Sequence, residues 1–367
     1  MTTVAIVPLH RGLNNNRLFD SSMRKGNNLE RFSLLRRRLK EENIECYTLD
    51  ACQNRCVDIV LFSRIDVELR DVLGAVKLNP RVRFIYVPNE PMIIAPMHRR
   101  SILKTLPVDR ILTWSDRLAA ECSKAIKCNI GQPVICLPAI PSIPFLNKKF
   151  CAAVYSNKMI GGRNSLYKDR QDIMVYFAKM NMCDIYGIGW GRTKITTLKT
   201  SYLGEISDKV STLKKYKFCI CFENYAANGL ITEKIFDCFA AGTVPIYYGA
   251  PDILEFIPKS CFIDFRDFGG YKELYQYLVD MHDADYQSYL DAVNAFIQTT
   301  EYYEFTSKRY VEIVLEQIRL LIHGQMPYRT ILSFKRDLLR IIIKNPLYFM
   351  LNIKRCKRYL FDLVSVW

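Results

Sequence analysis

The sequence predicts an α/β protein made of two successive open-sheet domains. Strand-like apolar runs alternate with amphipathic helix-like segments along most of the chain, as in parallel sheets with crossover helices. Half of the 367 residues are apolar, so the chain can bury a substantial core. The three prolines from Pro138 to Pro144 predict a linker. We therefore expect one domain over 1–145, a second over 146–325, and a C-terminal tail over 326–367.

The first half opens with a strand, a helix and a second strand. "TVAIVPL" is a short apolar run, "NNLERFSLLRRRLKEENI" has apolar residues at helical spacing, and "ECYTLD" returns as a strand. Strand-like segments follow at "CVDIVLFSR", "RVRFIYVPN" and "VDRILTWS", separated by helical or polar stretches. This alternation predicts an open α/β sheet in the first domain.

The second half repeats the alternation. Its strand-like runs are "KFCAAVYSN", "MCDIYGIGWG", "KFCICFENY" and "GTVPIYYGAP", with helix-like segments between and after them. In open α/β sheets, ligands bind at the carboxyl ends of strands and at helix N-termini. A two-domain arrangement of this kind predicts a ligand cleft between facing domains.

The chain is strongly basic, with a formal net charge of +15. This charge is compatible with three anionic partners: nucleic acid, a membrane surface or a phosphorylated small molecule. The tail 326–367 carries nine Lys or Arg against two Asp, interleaved with apolar and aromatic residues. It predicts an amphipathic helix pair broken at Pro346 and lying on an anionic inner membrane leaflet. The alternative is a helix that packs back on the N-terminal domain.

Cysteine and histidine usage argues against disulfides and zinc. The thirteen cysteines are scattered and mostly lie in apolar runs, so we expect buried, reduced thiols. The four histidines are isolated and complete no metal-ligand pattern.

No leader-like or membrane-spanning segment is evident, which predicts a cytoplasmic protein, peripheral on the inner face of a membrane. We expect no essential metal.

One stretch, "FENYAANGLITEKIF", places polar residues where a strand gives way to a helix. Asn224 follows the apolar run, and Thr232 is the predicted N-cap of a helix that starts with Glu233 and Lys234. A helix N-terminus and a lysine suit a diphosphate, and a carboxylate suits vicinal hydroxyl groups. By itself, "TEK" is also typical of an ordinary capped helix. No phosphate-loop or G-x-G-x-x-G pattern is present.

This stretch resembles the donor-binding motif of the α-1,3-fucosyltransferases, F-E-N, a short loop, [YV]-T-E-K, then A-G-x-V-P-[IV]-x-[YWL]-G. Weaker similarity extends over residues 50–320, including "RVRFIYVPNEP" and "AAVYSNKMIGGRNSLYKDRQ". The resemblance implies a GT-B fold of two Rossmann-like domains facing a cleft. It also implies inverting, metal-independent transfer of L-fucose from GDP-fucose. The implied acceptor is a hydroxyl, expected to be O3, of a GlcNAc- or glucose-containing glycan in surface polysaccharide or lipopolysaccharide synthesis.

The resemblance also implies roles for individual residues. Glu90 would be the general base, because an inverting displacement needs a carboxylate to deprotonate the attacking hydroxyl. Donor contacts would come from Asn224, Glu233 and Lys234, and from Arg170 at the diphosphate, for which Arg163 is the competing candidate. Two departures from the family pattern are Leu230, where an aromatic residue usually precedes the T-E-K motif, and "NEPM", which lacks the family's serine.

Other readings remain open from the sequence. Within the enzyme class, the alternative is a transferase for another GDP-linked 6-deoxysugar. A basic nucleic-acid-binding protein would explain the net charge, but the charge is concentrated in the tail without a recognised binding motif, so we expect no nucleic-acid partner. A scaffold protein would explain the α/β pattern but not the polar residues around Asn224.

Overall fold

The protein is represented by a computed structural model that describes residues 2–8, 10–20, 29–52, 55–135, 143–324 and 328–346. The chain divides into two compact units. Of the described residues, the first unit contains the N-terminal strand, those between 29 and 131 and those between 307 and 346, and the second contains those between 132 and 306. Residues 307–324, which the sequence boundary assigns to the second domain, thus pack in the first unit.

The first unit is built on a parallel sheet of six strands in the order β2-β1-β3-β4-β5-β6. Its strands are β1 (Thr3–Ile6), β2 (Glu45–Thr48), β3 (Ile59–Phe62), β4 (Arg83–Tyr86), β5 (Arg110–Thr113) and β6 (Ala125–Lys127). Its helices are α1 (Glu30–Glu41), α2 (Ile65–Leu78), α3 (Arg100–Leu103), α4 (Asp116–Glu121), α12 (Ser307–His323) and α13 (Ile331–Lys344).

The second unit is built on a parallel sheet of five strands in the order β11-β10-β9-β7-β8. The strands are β7 (Lys149–Val154), β8 (Cys183–Tyr186), β9 (Tyr216–Phe222), β10 (Val244–Tyr248) and β11 (Ile263–Asp264). The helices are α5 (Tyr167–Lys179), α6 (Thr196–Thr200), α7 (Lys209–Leu213), α8 (Glu233–Ala241), α9 (Tyr271–Asp280), α10 (Asp283–Phe296) and α11 (Thr300–Tyr303).

The central strands are apolar on both faces because helices cover both sides of each sheet. In the first unit, Val60 and Phe62 pack in one core with residues of α2, whereas Ile59 and Leu61 pack in another with residues of α1 and α12. Successive side chains of a strand point to opposite faces, so a continuous apolar run supplies both cores. This confirms the predicted α/β class with two Rossmann-like sheets.

Helix α13 is the described part of the predicted basic tail. Its apolar stripe of Phe334, Leu338 and Ile341 is buried in a core of the first unit. Just before the helix, Arg329 forms an ion pair of 3.0 Å with buried Asp109. This part of the tail therefore adopts the packed alternative. The predicted second helix, after Pro346, lies outside the described residues.

The cysteines of the described ranges are free thiols, as expected from the sequence. Ten of these eleven are buried, and Cys56 is exposed. Burial raises the pKa of the Cys52 thiol to about 11, which keeps it protonated and unreactive. Across the described ranges, no helix has both the length and the apolar character needed to span a bilayer.

Candidate functional site

The strand order of the second unit identifies the edge where a ligand is expected. The chain leaves β7 toward β8 on one side and leaves β9 toward β10 on the other. In this topology, the connections diverge at the switch point, which opens a crevice beyond the strands' carboxyl ends. Tyr155 directly follows β7, and Glu223 directly follows β9. Five of the residues predicted from the sequence belong to the segments that follow these two strands: Arg163, Arg170, Asn224, Glu233 and Lys234.

Two loops are paired at this edge by backbone hydrogen bonds. Leu166 N donates to Asn224 O at 3.1 Å, and Ala226 N donates to Asn164 O at 2.8 Å. Asn164 adopts a left-handed conformation with φ of 63°, which asparagine tolerates better than most residues. Because of this pairing, the start of α5 at Tyr167 lies against the end of β9 at Phe222.

Arg170, in the first turn of α5, is buried at this junction. Its Nε donates to Phe222 O at 2.9 Å, and its guanidinium lies over the ring of Tyr155 at 4.5 Å. Its Nη2 is buried and has no hydrogen-bond partner in the protein. The buried guanidinium thus has N–H groups that remain available to a bound molecule. The competing candidate, Arg163, is exposed in the preceding loop.

Glu223 is a site residue that the sequence reasoning missed. Its side chain is fully buried, and its Oε1 accepts from Thr232 Oγ1 at 2.7 Å and from Thr232 N at 3.1 Å. Lys234 Nζ lies 3.0 Å from its Oε2. The F-E-N motif contained a signal for this role, because a carboxylate at the end of a buried strand needs a cationic partner.

Gly249 allows the chain to pass close to Glu223. A Cβ at this position would lie 2.7 Å from Glu223 Cγ and 2.5 Å from Tyr247 Oη. These separations are too short for any side chain, so the glycine of "YYGAP" maintains the approach of β10 to the site. The hydroxyl of Tyr247 in turn accepts from Ala250 N at 3.0 Å.

Thr232 occupies the N-cap position of α8, as predicted, but does not cap it through its side chain. Its hydroxyl donates to Glu223 and accepts from Lys234 Nζ at 2.8 Å. The predicted side-chain cap is therefore wrong. The hydroxyl oxygen accepts from the Lys234 ammonium group instead of from a backbone N–H, because a charged donor makes the stronger hydrogen bond.

Lys234 is held between two carboxylates. Its Nζ lies 3.0 Å from Glu223 Oε2 and 3.2 Å from Glu233 Oε1. Burial by itself lowers the lysine pKa, but Glu223 and Glu233 outweigh it and raise the pKa above its usual value. Arg170 acts in the opposite direction, which places both cations in one electrostatic cluster. Lys234 is thus a cation held in place by two carboxylates.

Glu233 is an ionised acceptor at the start of α8. Burial by itself would raise its pKa, but Lys234 and then Lys209 reverse this effect and lower the pKa to about 2. About a third of its side chain, 31%, remains exposed. A carboxylate that is both ionised and accessible can accept hydrogen bonds from a bound molecule. Asn224 adds a buried Oδ1 that has no partner in the protein.

Leu230 has a packing role in this structure. Its side chain is completely buried, so position 230 faces the protein interior. The sequence departure at this position therefore falls on a buried side chain.

Glu90 lies in the first unit, in the loop that follows β4. The residue is half-buried, and its carbonyl oxygen is 2.6 Å from Nδ1 of His98. The other ring nitrogen of His98, Nε2, lies 2.9 Å from both Ser63 O and Tyr86 Oη. A buried histidine thus ties the Glu90 loop to the ends of β3 and β4. This tie was not apparent from the sequence.

The structure therefore brings four predicted residues together at one edge: Arg170, Asn224, Glu233 and Lys234. Arg163 lies in the adjoining loop, and Glu90 belongs to the other unit. A cavity of about 600 Å³ elsewhere in the second unit is lined by Phe268, Tyr277 and Tyr289, among others, and contains none of the predicted residues. No group of three or more metal-ligating side chains occurs within the described ranges.

Comparison with known proteins agrees with this geometry. Residues 147–316 match the glycosyltransferase family 10 (fucosyltransferase) C-terminal domain. An α-(1,3)-fucosyltransferase of Helicobacter pylori, FucT, is 39% identical over 87 residues, which is 23% of this chain and 18% of the relative. Human α-(1,3)-fucosyltransferase 7 is 36% identical over 83 residues, covering 22% of this chain and 24% of the relative. The match therefore spans about a quarter or less of these relatives.

Solved structures match over a longer span but with low identity. An α1,3-fucosyltransferase with GDP-fucose superposes with a TM-score of 0.53 at 16% identity, covering 90% of this chain and 92% of the other. Anabaena HepE with UDP and glucose superposes with a TM-score of 0.53 at 11% identity, covering 87% and 100%. These matches concern the fold, and they confirm the GT-B class. The family 10 similarity thus lies in residues 147–316, most of which belong to the second unit, and the solved structures extend the likeness in fold to both units.

Proposed function

We propose that this chain transfers L-fucose from GDP-fucose to a hydroxyl group, expected to be O3, of a GlcNAc- or glucose-containing glycan. The observation that carries the proposal is a pair of buried polar atoms at the end of β9. Arg170 Nη2 and Asn224 Oδ1 have no partner in the protein. Native proteins rarely leave such atoms without a hydrogen bond. An unpaired hydrogen-bond donor and an unpaired hydrogen-bond acceptor at this place therefore indicate a site for a polar ligand.

The proposed donor has groups that suit each of these positions. Its diphosphate suits Arg170 and the backbone N–H groups at the start of α8, because a helix N-terminus attracts anions. Its ribose or fucose hydroxyls suit the ionised Glu233. Lys234 lies between the carboxylates of Glu223 and Glu233 and limits their repulsion of the diphosphate.

Glu90 is the proposed general base. In an inverting displacement, the acceptor oxygen attacks the anomeric carbon as the bond to GDP breaks, and the hydroxyl proton passes to the base. The leaving diphosphate gains negative charge, which Arg170 and the helix terminus stabilise. Because these groups supply that stabilisation, we propose that no divalent metal is required. Full activity in excess EDTA is the expected result, and restoration by Mg²⁺ or Mn²⁺ after chelation would contradict it.

The decisive experiment is a donor screen. The full chain is incubated with GDP-fucose, GDP-mannose and other GDP-linked 6-deoxysugars, together with GlcNAc- and glucose-terminated oligosaccharides. Mass spectrometry should detect a deoxyhexose added from GDP-fucose, and linkage analysis should place it on O3. Exclusive transfer of another 6-deoxysugar would favour the alternative donor, and absence of any product would contradict the proposal.

We also propose that the C-terminal tail binds an anionic inner membrane leaflet, where a lipid-linked acceptor would be presented. Away from the face buried in the first unit, α13 exposes Leu332 and Ile343 together with Arg336, Arg340 and Lys344. Apolar and basic residues on one exposed surface favour anionic bilayers. The full chain should sediment with phosphatidylglycerol vesicles but not with phosphatidylcholine vesicles. Equal recovery with both kinds of vesicle would argue against electrostatic membrane binding and against a peripheral position on the cytoplasmic face of a membrane.

A further inference from the structure

Tyr155, the residue that directly follows β7, contacts Arg170 at the proposed donor site. The Cζ atom of Arg170 lies 4.5 Å from the centre of the Tyr155 ring and 5.2 Å from the centre of the Tyr167 ring. A guanidinium at these distances is attracted to the electron-rich face of an aromatic ring. Tyr167 lies on α5 three residues before Arg170, so its ring moves with the helix. Tyr155 continues a strand, and its ring therefore fixes the guanidinium relative to the sheet.

The hydroxyl group of Tyr155 is bonded to the end of β9. It accepts from Phe222 N at 2.7 Å and donates to Ile220 O at 2.6 Å. The carbonyl oxygen of the same Phe222 accepts from Arg170 Nε at 2.9 Å. Tyr155 and Arg170 thus bind the two backbone groups of one residue and also contact each other. Arg170 Nη2 remains as the buried donor without a partner in the protein.

The backbone of Tyr155 is held by β8 and the turn that follows it. Tyr155 N donates to Tyr186 O at 3.1 Å, and Trp190 Nε1 donates to Tyr155 O at 2.6 Å. Gly187 has a φ of 116°, and a Cβ at this position would lie 2.1 Å from Tyr155 O, so only glycine allows this approach. Tyr155 is thus held at its backbone and at its hydroxyl group. Because the residue is only 7% exposed, it acts on a bound molecule through its neighbours.

We propose that Tyr155 is a positioning residue for the donor: its ring orients the Arg170 guanidinium so that Nη2 is presented to the diphosphate, and its hydroxyl group fixes the end of β9. This inference rests on the proposed function of the site and assigns a part to a residue outside the recognised motif. The two parts of the side chain have separable effects. Loss of the ring should weaken donor binding, whereas loss of the hydroxyl group should lower stability.

The test places Phe, pentafluorophenylalanine or Leu at position 155 of the full chain and measures the Kd for GDP-fucose and the Tm. Tyr155→Phe keeps the ring but leaves Phe222 N without this acceptor, so the Tm should fall while the Kd stays within about twofold of wild type. Pentafluorophenylalanine keeps the ring shape but reverses the charge distribution of its face, so the Kd should be roughly three- to tenfold higher than in Tyr155→Phe at a similar Tm. Tyr155→Leu should weaken binding at least as much. The exposed Tyr277→Leu is the control and should bind as the wild type does.

A double-mutant cycle separates positioning of Arg170 from a general effect on the fold. Arg170→Gln removes the guanidinium that the ring orients. Adding Tyr155→Leu to this variant should therefore raise the Kd by less than about twofold, because the two changes remove the same interaction. Fully additive losses would show that Tyr155 acts independently of Arg170 and would overturn the inference.

Two further results would overturn it. One is an equal Kd in Tyr155→Phe and in the pentafluorophenylalanine variant. The other is a loss of affinity in Tyr155→Phe as large as in Tyr155→Leu, since the hydroxyl group alone would then account for the effect. If Tyr155→Leu does not fold, the comparison of the two rings of similar shape decides. Failure of the wild type to bind GDP-fucose would instead contradict the proposed function itself.

Discussion

The loops after β9 and after β4 carry the two halves of the proposed chemistry, but different interactions hold them. After β9, side chains hold one another, because Lys234 bridges Glu223 and Glu233 at distances of 3.0 and 3.2 Å. After β4, a buried histidine holds the backbone, because His98 Nδ1 lies 2.6 Å from Glu90 O. The first arrangement couples ligand binding to folding stability. The second fixes the backbone of the loop that carries the proposed base.

The largest expected effect follows from replacing the proposed base. Glu90→Gln keeps the size of the side chain but removes its basicity, so turnover should fall by roughly 10²- to 10⁴-fold while GDP binding stays unchanged. Product formation by mass spectrometry and GDP titration measure the two properties. Glu41→Gln, at an exposed position of the same unit, is the matched control. An unchanged rate in Glu90→Gln would exclude this residue as the base.

The second test breaks the charge network after β9. Lys234→Ala leaves the fully buried Glu223 without its cation, so the free energy of unfolding should fall by about 3–5 kcal/mol and donor binding should weaken. Chemical denaturation measures the loss, with the exposed Lys215→Ala as control. Glu223→Gln combined with Lys234→Met should recover part of the stability. A Lys234→Ala variant as stable as the wild type would show that the network does not stabilise the fold.

The third test loosens the loop after β4. His98→Ala removes the contacts to Glu90 O and Ser63 O, so we expect a stability loss of about 1–3 kcal/mol. Displacement of Glu90 should also lower kcat by roughly 10- to 100-fold. Thermal unfolding and initial rates provide the measurements, and His10→Ala, at an exposed position, is the control. Wild-type kcat in a destabilised His98→Ala variant would assign this histidine to folding alone.

The smallest effect is a dependence of stability on pH. The pKa of Glu233 is lowered in the folded protein to about 2 from 4.5, so its stabilising contribution is present above pH 4.5 and is lost as the pH falls through 2. Glu233→Gln should lack this contribution. The difference in the free energy of unfolding between wild type and variant should therefore shrink as the pH falls through that range. Urea unfolding at several acidic pH values measures it. A difference that does not change with pH would contradict the assigned ionisation.

Local sequence was sufficient to predict much of the fold and part of the site. Alternating apolar runs and amphipathic segments identify the sheets, and Asn224, Glu233 and Lys234 lie within eleven consecutive residues. Their placement at a strand end and a helix start follows from short-range patterns. By contrast, the bond from Arg170 Nε to Phe222 O spans 52 residues, and no local pattern distinguishes Arg170 from Arg163 in that role.

The sequence by itself determined the α/β class, the strand, loop and helix of the donor motif, and the resemblance to a family. Only the tertiary structure decided that Glu223 is the buried partner of Lys234, that Leu230 packs inward, and that α13 returns to the first unit. The reason is physical. Periodicity and propensity act over a few residues, whereas burial and ion pairing depend on which distant segments pack together, and that is settled when the whole core forms.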